Sequence, residues 1–376
     1  MNRTLDRIVV VGGGIAGLTA CDTLRDEGFE GELTIVGSEP CAAYSRPALS
    51  KALLRVDADL TAHELPPAGH GARELRGVSA VGLDVDRRRV ELDDGDVVPY
   101  DGLVIASGSR ARRLSSLPGE TTLRDLSDAH ALQRALVGRP DVVVLGGGVL
   151  GMEIASGAVA AGCTTTLIST SEPMSRHLGA YVGALLTASA LAQGLRVVRT
   201  TSATIEEHDG RCTVVTADGA RHAAGVVISA VGDVPNVEWL ARSGLLDAGR
   251  LTPDARGVVG DGIVAAGDVA HWSGGARTAL WTSAIEQAKV VARALLSAES
   301  APLRFQNYFW TEQFGHAVKA VGDLPVTGDP EFVAGDPGTL PAVLRWTRPD
   351  GGRTVIAVDQ RMPIPKLRRL ADPSAA

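Results

Sequence analysis

The stretch Val9-Val10-Val11-Gly12-Gly13-Gly14-Ile15-Ala16-Gly17 decides the fold, because the chain repeats it as Val142-Val143-Val144-Leu145-Gly146-Gly147-Gly148-Val149-Leu150-Gly151. In both copies an aliphatic run ends in Gly-x-Gly-x-x-Gly and leads into a helix-forming segment. The first copy continues to Ile35-Val36-Gly37-Ser38-Glu39-Pro40 and the second to Leu167-Ile168-Ser169-Thr170-Ser171-Glu172-Pro173. Each reads strand, glycine turn, helix, strand, which is the βαβ unit that binds a dinucleotide. Gly12 and Gly146 permit the tight turn. Gly14 and Gly148 let the backbone approach a pyrophosphate, and Gly17 and Gly151 let helix and strand pack closely. The helix N-terminus then offers free N–H groups and the positive end of its dipole. One such motif is weak evidence; two in matching context predict an α/β chain with two Rossmann-like domains.

The two copies differ where the ribose would sit. Glu39 lies about 20 residues beyond its glycine motif, where an acid hydrogen-bonds a ribose hydroxyl. The second copy has Ser169 and Thr170 at the strand end and no acid there. A carboxylate at that point repels the additional phosphate of NADP, so its absence removes one source of discrimination between NADH and NADPH. Glu172 offers a carboxylate slightly further on, and Arg176 and His177 offer partners for a phosphate. A solvated turn is an equally good reading of those two.

Working outward, Val78–Val98 reads as a hairpin around Asp93-Asp94-Gly95. Tyr100–Gly108 and Gly262–Asp268 read as buried strands ending in small residues, and Trp281–Ala298 as a helix. The tail from Pro302 holds several of the few aromatics and short alternating runs, which predict a small α+β domain. With 376 residues the chain has room for two or three domains. Its formal net charge of −7 argues against a nucleic-acid partner. The apolar start is too short and glycine-broken to span a membrane, so the expected location is cytoplasmic. Cys21, Cys41, Cys163 and Cys212 form no C-x-x-C pair and no metal-ligand spacing, and no metal site is expected.

Tyr44-Ser45-Arg46-Pro47-Ala48-Leu49-Ser50-Lys51 resembles the Tyr-x-Arg-Pro-x-Leu-Ser-Lys motif of the FAD-dependent ferredoxin reductases that serve cytochrome P450 and Rieske dioxygenase systems. The resemblance extends along nearly the whole chain: Ala106-Ser107-Gly108, Gly151-x-Glu153-x-Ala155, Ala266-Gly267-Asp268-Val269, Trp281-x-x-Ala284-x-x-Gln287 and Tyr308-Phe309-Trp310-Thr311-Glu312-Gln313 each match a family segment. It implies FAD on the first glycine motif and NADH or NADPH on the second. It implies that Arg46 and Lys51 line the flavin, with Lys51 near the redox ring and Glu153 beside it. Asp268 would bind the ribityl or pyrophosphate side of FAD, and Trp281 and Trp310 would border the cofactor site. A cation near the reduced ring stabilises its negative charge, and a carboxylate keeps that cation oriented.

The sequence departs from the family pattern at Ser107, which replaces a threonine, and at Ala279-Leu280, where many relatives carry a glutamate. Cys41 stands where some related flavoproteins place a redox cysteine, but inside the ferredoxin reductase pattern it reads as a bystander.

The expected organisation is a discontinuous FAD domain (1–111 and 234–300), an NAD(P) domain (112–233) and a tail domain (301–376). The expected activity is hydride transfer from NAD(P)H to FAD, then single-electron delivery to a ferredoxin-type iron–sulfur protein. The residues leave open other acceptors (rubredoxin, a quinone, a disulfide, oxygen) and a non-catalytic redox sensor. The tail concentrates Arg345, Arg348, Arg353, Arg361, Lys366, Arg368 and Arg369 against Asp350, Asp359 and Asp372, and this cationic run is the expected docking face for an acidic partner.

Overall fold

The computed structural model describes residues 5–51, 59–66, 69–208, 210–272, 277–304 and 306–374. Its α-helices are α1 (Ile15–Asp26), α2 (Leu126–Leu136), α3 (Val149–Ala160), α4 (Ser175–Leu178), α5 (Ala180–Ala192), α6 (Trp281–Leu296) and α7 (Ile364–Ala371). The chain divides into two compact units. The first comprises Met1–Ser45, His63–Arg110 and Val234–Phe305; the second comprises Arg46–Ala62, Ala111–Asp233 and Gln306–Ala376. The tail thus groups with the second glycine motif, and so does Arg46–Ala62, which the sequence alone leaves with the first.

The first unit is built on a six-stranded sheet ordered Val258–Gly260, Ile263–Ala265, Gly102–Ile105, Arg7–Val11, Glu32–Gly37, Arg73–Arg76. All neighbours are parallel except the first pair. The central strand alternates between two cores. Ile8 and Val10 pack with Ala20, Leu24, Ala288 and Val291 of α1 and α6. Val9 and Val11 pack with Leu83, Val90 and Trp239 on the other face. A strand buried on both faces is apolar at every position, not every second one, and this accounts for the unbroken Ile8–Val11 run. The hairpin read in Val78–Val98 is an antiparallel three-stranded sheet of Ala80–Asp84, Arg89–Leu92 and Val97–Pro99.

The second unit repeats the plan. A parallel five-stranded sheet runs Arg196–Arg199, Thr165–Ser169, Val142–Leu145, Val226–Ser229, Glu120–Thr121. The tail adds an antiparallel five-stranded sheet, ordered Tyr308–Gln313, His316–Val321, Arg353–Val358, Ala342–Thr347, Glu331–Ala334, with α7 against it. Side-chain hydrogen bonds pin the first tail hairpin to α3 and α5. Ser156 on α3 accepts from the Phe314 N–H (2.7 Å), and Gln193 donates to the Phe314 carbonyl (2.8 Å). His316 bridges Asp359 (Nδ1···Oδ2, 2.6 Å) and Ser189 on α5 (Nε2···Oγ, 2.7 Å).

Candidate active site

In the first unit, Gly12 has φ +123°, and a Cβ there would lie 2.0 Å from the Ala106 carbonyl oxygen; a Cβ on Gly17 would lie 1.9 Å from the Gly12 carbonyl oxygen. Nothing lies within 4 Å of a Cβ built on Gly14. The turn therefore presses against its own strand and helix and opens at the N-terminus of α1, the place and chemistry that suit a pyrophosphate. Glu39 follows the second strand, half-buried, and accepts a 2.5 Å hydrogen bond from the Tyr44 hydroxyl. One carboxylate oxygen is thereby held, so the group is oriented without any ligand.

Ala106-Ser107-Gly108 forms the next turn. Ser107 is structural: its hydroxyl donates to the Asn236 carbonyl (2.8 Å) and the Asn236 amide donates back to its carbonyl (2.9 Å). The Gly267-Asp268 turn approaches α1, since a Cβ on Gly267 would lie 3.0 Å from that of Ala16. Buried Gln287 on α6 accepts from the Gly267 N–H (2.8 Å), and Arg277 donates to the Asp268 carbonyl (2.7 Å). Trp281 opens α6. The Gln287 of the matched helix thus fixes the turn that carries Asp268.

The second glycine turn copies the first. Gly146 has φ +111°, with a Cβ position 2.2 Å from the Ala230 carbonyl oxygen, and Gly151 has one 1.8 Å from the Gly146 carbonyl oxygen. Ala230-Val231-Gly232 is therefore the counterpart of Ala106-Ser107-Gly108. The copies differ at the mouth. The His177 ring on α4 lies 3.1 Å from a Gly148 Cβ position, where Gly14 has open space. The residue as a whole is exposed, yet burial of its ring, with the Arg176 charge second, holds the imidazole below its ordinary pKa. The shift favours the neutral imidazole beside the second glycine turn. Ser169 is 5% exposed, and its hydroxyl lies 2.6 Å from a Cβ position on Gly147. It faces the turn instead of the surface where a ribose would lie.

A buried ion pair lies elsewhere in the second unit. Lys51 Nζ is 2.9 Å from Glu153 Oε1, with side-chain exposures of 14% and 3%. Glu153, on α3, also accepts from the Thr311 hydroxyl at 2.6 Å and from the Ser50 hydroxyl. Lys51 donates weakly to the Pro47 carbonyl (3.4 Å) and sits 5.5 Å from the Trp310 ring centroid. A carboxylate this deeply buried is tolerated because three donors meet it. The ammonium remains partly accessible, and the aromatic face beside it favours a cation. The Arg46 guanidinium, from the same segment, donates to the Arg124 carbonyl (3.0 Å).

Residues 6–288 match the family described as pyridine nucleotide-disulphide oxidoreductase. The chain belongs to that family. Within it, the chain is 34% identical over 388 residues to the ferredoxin reductase component of chlorobenzene dioxygenase from Cupriavidus sp. (strain PS12), covering 98% of this chain and 93% of that protein. It is 34% identical over 346 residues to rhodocoxin reductase of Rhodococcus erythropolis, covering 87% and 80%. Among solved structures, the covalent putidaredoxin reductase–putidaredoxin complex superposes with a TM-score of 0.87 at 27% identity, covering 96% of this chain and 91% of that one.

Three residues of the quoted segments make contacts that the sequence patterns leave unmarked. Tyr44 orients Glu39, and Ser50 and Thr311 hold Glu153. Tyr44 and Ser50 stand inside the quoted motif and Thr311 follows Trp310, but only proximity reveals which acid each one serves. No disulfide joins the four cysteines; Cys21, Cys163 and Cys212 are buried, and burial pushes the Cys21 thiol up to about 12. No described helix is long and apolar enough to cross a membrane.

Proposed function

We propose that this chain is a flavoprotein reductase that draws electrons from NADH or NADPH and delivers them to a ferredoxin-type iron–sulfur protein. The observation that carries this reading is the pair of glycine turns with the same backbone geometry, one opening on bare space and backed by Glu39. FAD, when bound, supplies what protein side chains lack, a hydride acceptor that releases electrons singly. The chain's own residues bind, orient and polarise. The first turn, Glu39, Gly108 and Asp268 would hold the flavin nucleotide, and the second turn would hold the nicotinamide nucleotide. Lys51, kept in place by Glu153, would set a fixed positive charge where negative charge develops. Trp310 would limit water around that charge. The similarity to reductases of dioxygenase and rhodocoxin systems, over most of both chains, supports the choice of acceptor. A cytoplasmic location fits dependence on a pyridine-nucleotide pool.

The purified protein should be yellow and release FAD on denaturation. With NADH it should reduce a [2Fe–2S] ferredoxin faster than rubredoxin, quinone, disulfide or oxygen. A colourless protein that FAD does not reconstitute would sink the cofactor assignment, and faster turnover of another acceptor would sink the partner assignment.

A further inference from the structure

The proposed function leaves the choice between NADH and NADPH open, and the end of the Thr165–Ser169 strand is where that choice is made in this fold. Ser169 cannot make it, because its hydroxyl is buried against the Gly147 turn. Thr170, the next residue, is exposed but uncharged. The charged groups at this edge come from two elements. Glu172 lies on the loop after the strand. Arg199 ends the neighbouring strand, as the register partner of Ser169. Their side chains pair, Arg199 Nη1 to Glu172 Oε2 at 3.1 Å, with exposures of 65% and 37%.

Resting on the reading that the second turn holds a pyridine nucleotide, we propose that the Glu172–Arg199 pair reads the 2′ position of the adenosine ribose and lets the chain bind NADPH about as well as NADH. The two members have opposite preferences. A carboxylate accepts hydrogen bonds from the ribose diol and repels a phosphate. A guanidinium presents a planar fork that matches a phosphate and has no acceptor for a hydroxyl. In a solvent-exposed pair the mutual attraction is weak, so either member can leave the other at little cost. With a 2′-phosphate Arg199 turns to the ligand; with a 2′-hydroxyl Glu172 does so, and Arg199 stays in water. A buried or multiply bonded acid, like Glu153, would not have this freedom. Arg176 is the competing cation, but its neighbour His177 lies over Gly148, which puts α4 beside the pyrophosphate turn.

The test is calorimetric titration of the FAD-loaded protein with NADP+ and with NAD+, at low and high salt. Wild-type dissociation constants should lie within about tenfold of each other. Arg199→Ala should weaken NADP+ by about tenfold, the loss of one charge-assisted contact, and leave NAD+ within twofold. It should also flatten the salt dependence of NADP+ binding. Glu172→Gln should do the reverse, weakening NAD+ and tightening NADP+, and Arg199→Lys should restore part of the NADP+ affinity. An unchanged ratio in both Arg199→Ala and Glu172→Gln overturns the proposal, as does a ratio that moves only in Arg176→Ala. Binding of neither nucleotide to the wild-type protein overturns the reading of the second turn itself. An unaltered flavin spectrum in each variant establishes that the fold is intact.

Discussion

Glu153 and Lys51 show how much one buried contact is asked to do. The carboxylate is shielded from water and satisfied by Lys51, Ser50 and Thr311, so its orientation is set before any ligand arrives. Removing one partner of such a pair leaves the other charge unmatched, at a cost of about 3–5 kcal/mol. Lys51→Met should slow flavin reduction by NADH about a hundredfold in stopped flow, the range found when a fixed electrostatic donor is lost, with little change in nucleotide affinity. Glu153→Gln keeps the volume but removes the charge and leaves a single acceptor oxygen, which weakens the hold on Lys51 without removing its ammonium, so the rate should fall less and the flavin reduction potential should shift measurably. Wild-type reduction rates in both variants would remove the pair from the chemistry. The pairing was legible only through the family resemblance, since Lys51 and Glu153 stand about a hundred residues apart in separate motifs and no spacing rule joins them. Their family matches name the two residues, but the contact exists only because α3 and the segment before residue 52 belong to one unit.

Among the elements, those with a repeating signal were readable and those without were not. The two βαβ units follow from Gly-x-Gly-x-x-Gly between an aliphatic strand and a helix, and the close approaches at the first and third glycines agree to within a few tenths of an ångström between the copies. The orientation of Ser169 at the ribose edge of the second copy was not readable, because a strand-end serine gives no sign in sequence of which way its hydroxyl points. The neighbouring strand that supplies Arg199 is adjacent only through the sheet order. The tail's attachment was equally hidden. In a neutral ring, Asp359 can only accept, so His316 Nδ1 carries the proton and Nε2 accepts from Ser189. The Ser189 oxygen in turn accepts from Gln193 at 3.2 Å. Asp359 is itself steadied by the Ala317 N–H at 2.8 Å. These are the relations of a serine–histidine–acid relay, but here they join α5 to the tail sheet. His316→Ala removes two hydrogen bonds worth about 1 kcal/mol each. It should lower the midpoint of thermal unfolding by a few degrees and speed proteolytic cleavage in the Phe314–Gly315 turn. His316→Gln, which restores one bond, should recover part of both. Equal stability of all three proteins would show that the bridge contributes nothing.

At the scale of the whole molecule, charge is distributed unevenly. The chain carries a net charge of −7, yet the tail's cations do not all remain available to a partner. Arg345 pairs with Glu331, Arg348 with Asp323 and Asp350, and Arg353 donates to the Asp372 carbonyl. Arg361 precedes α7, and Lys366, Arg368 and Arg369 lie on it; all four are exposed. Helix α7 anchors through Leu367 and Ala371 in the core cluster that also holds Tyr308 and borders Trp310. Trp310 in turn faces the Lys51 ammonium. The uncommitted part of the tail's positive charge therefore lies on and just before the helix that packs against the sheet carrying Trp310. An acidic ferredoxin approaching an acidic reductase is repelled overall and attracted at such a patch, and local attraction chiefly raises the rate of encounter. Reversing Arg368 and Arg369 together to Glu should cut the second-order rate of ferredoxin reduction about tenfold at low ionic strength and leave ferricyanide reduction nearly intact. Salt should slow the wild-type reaction as the screening length falls to about 8 Å near physiological ionic strength. It should slow the reversed variant far less, so that the two rates converge. Because the rest of the chain is acidic, a docking face elsewhere would give the opposite trend, with salt speeding the reaction and the double reversal leaving it unchanged. That pattern would assign the partner surface to another part of the molecule.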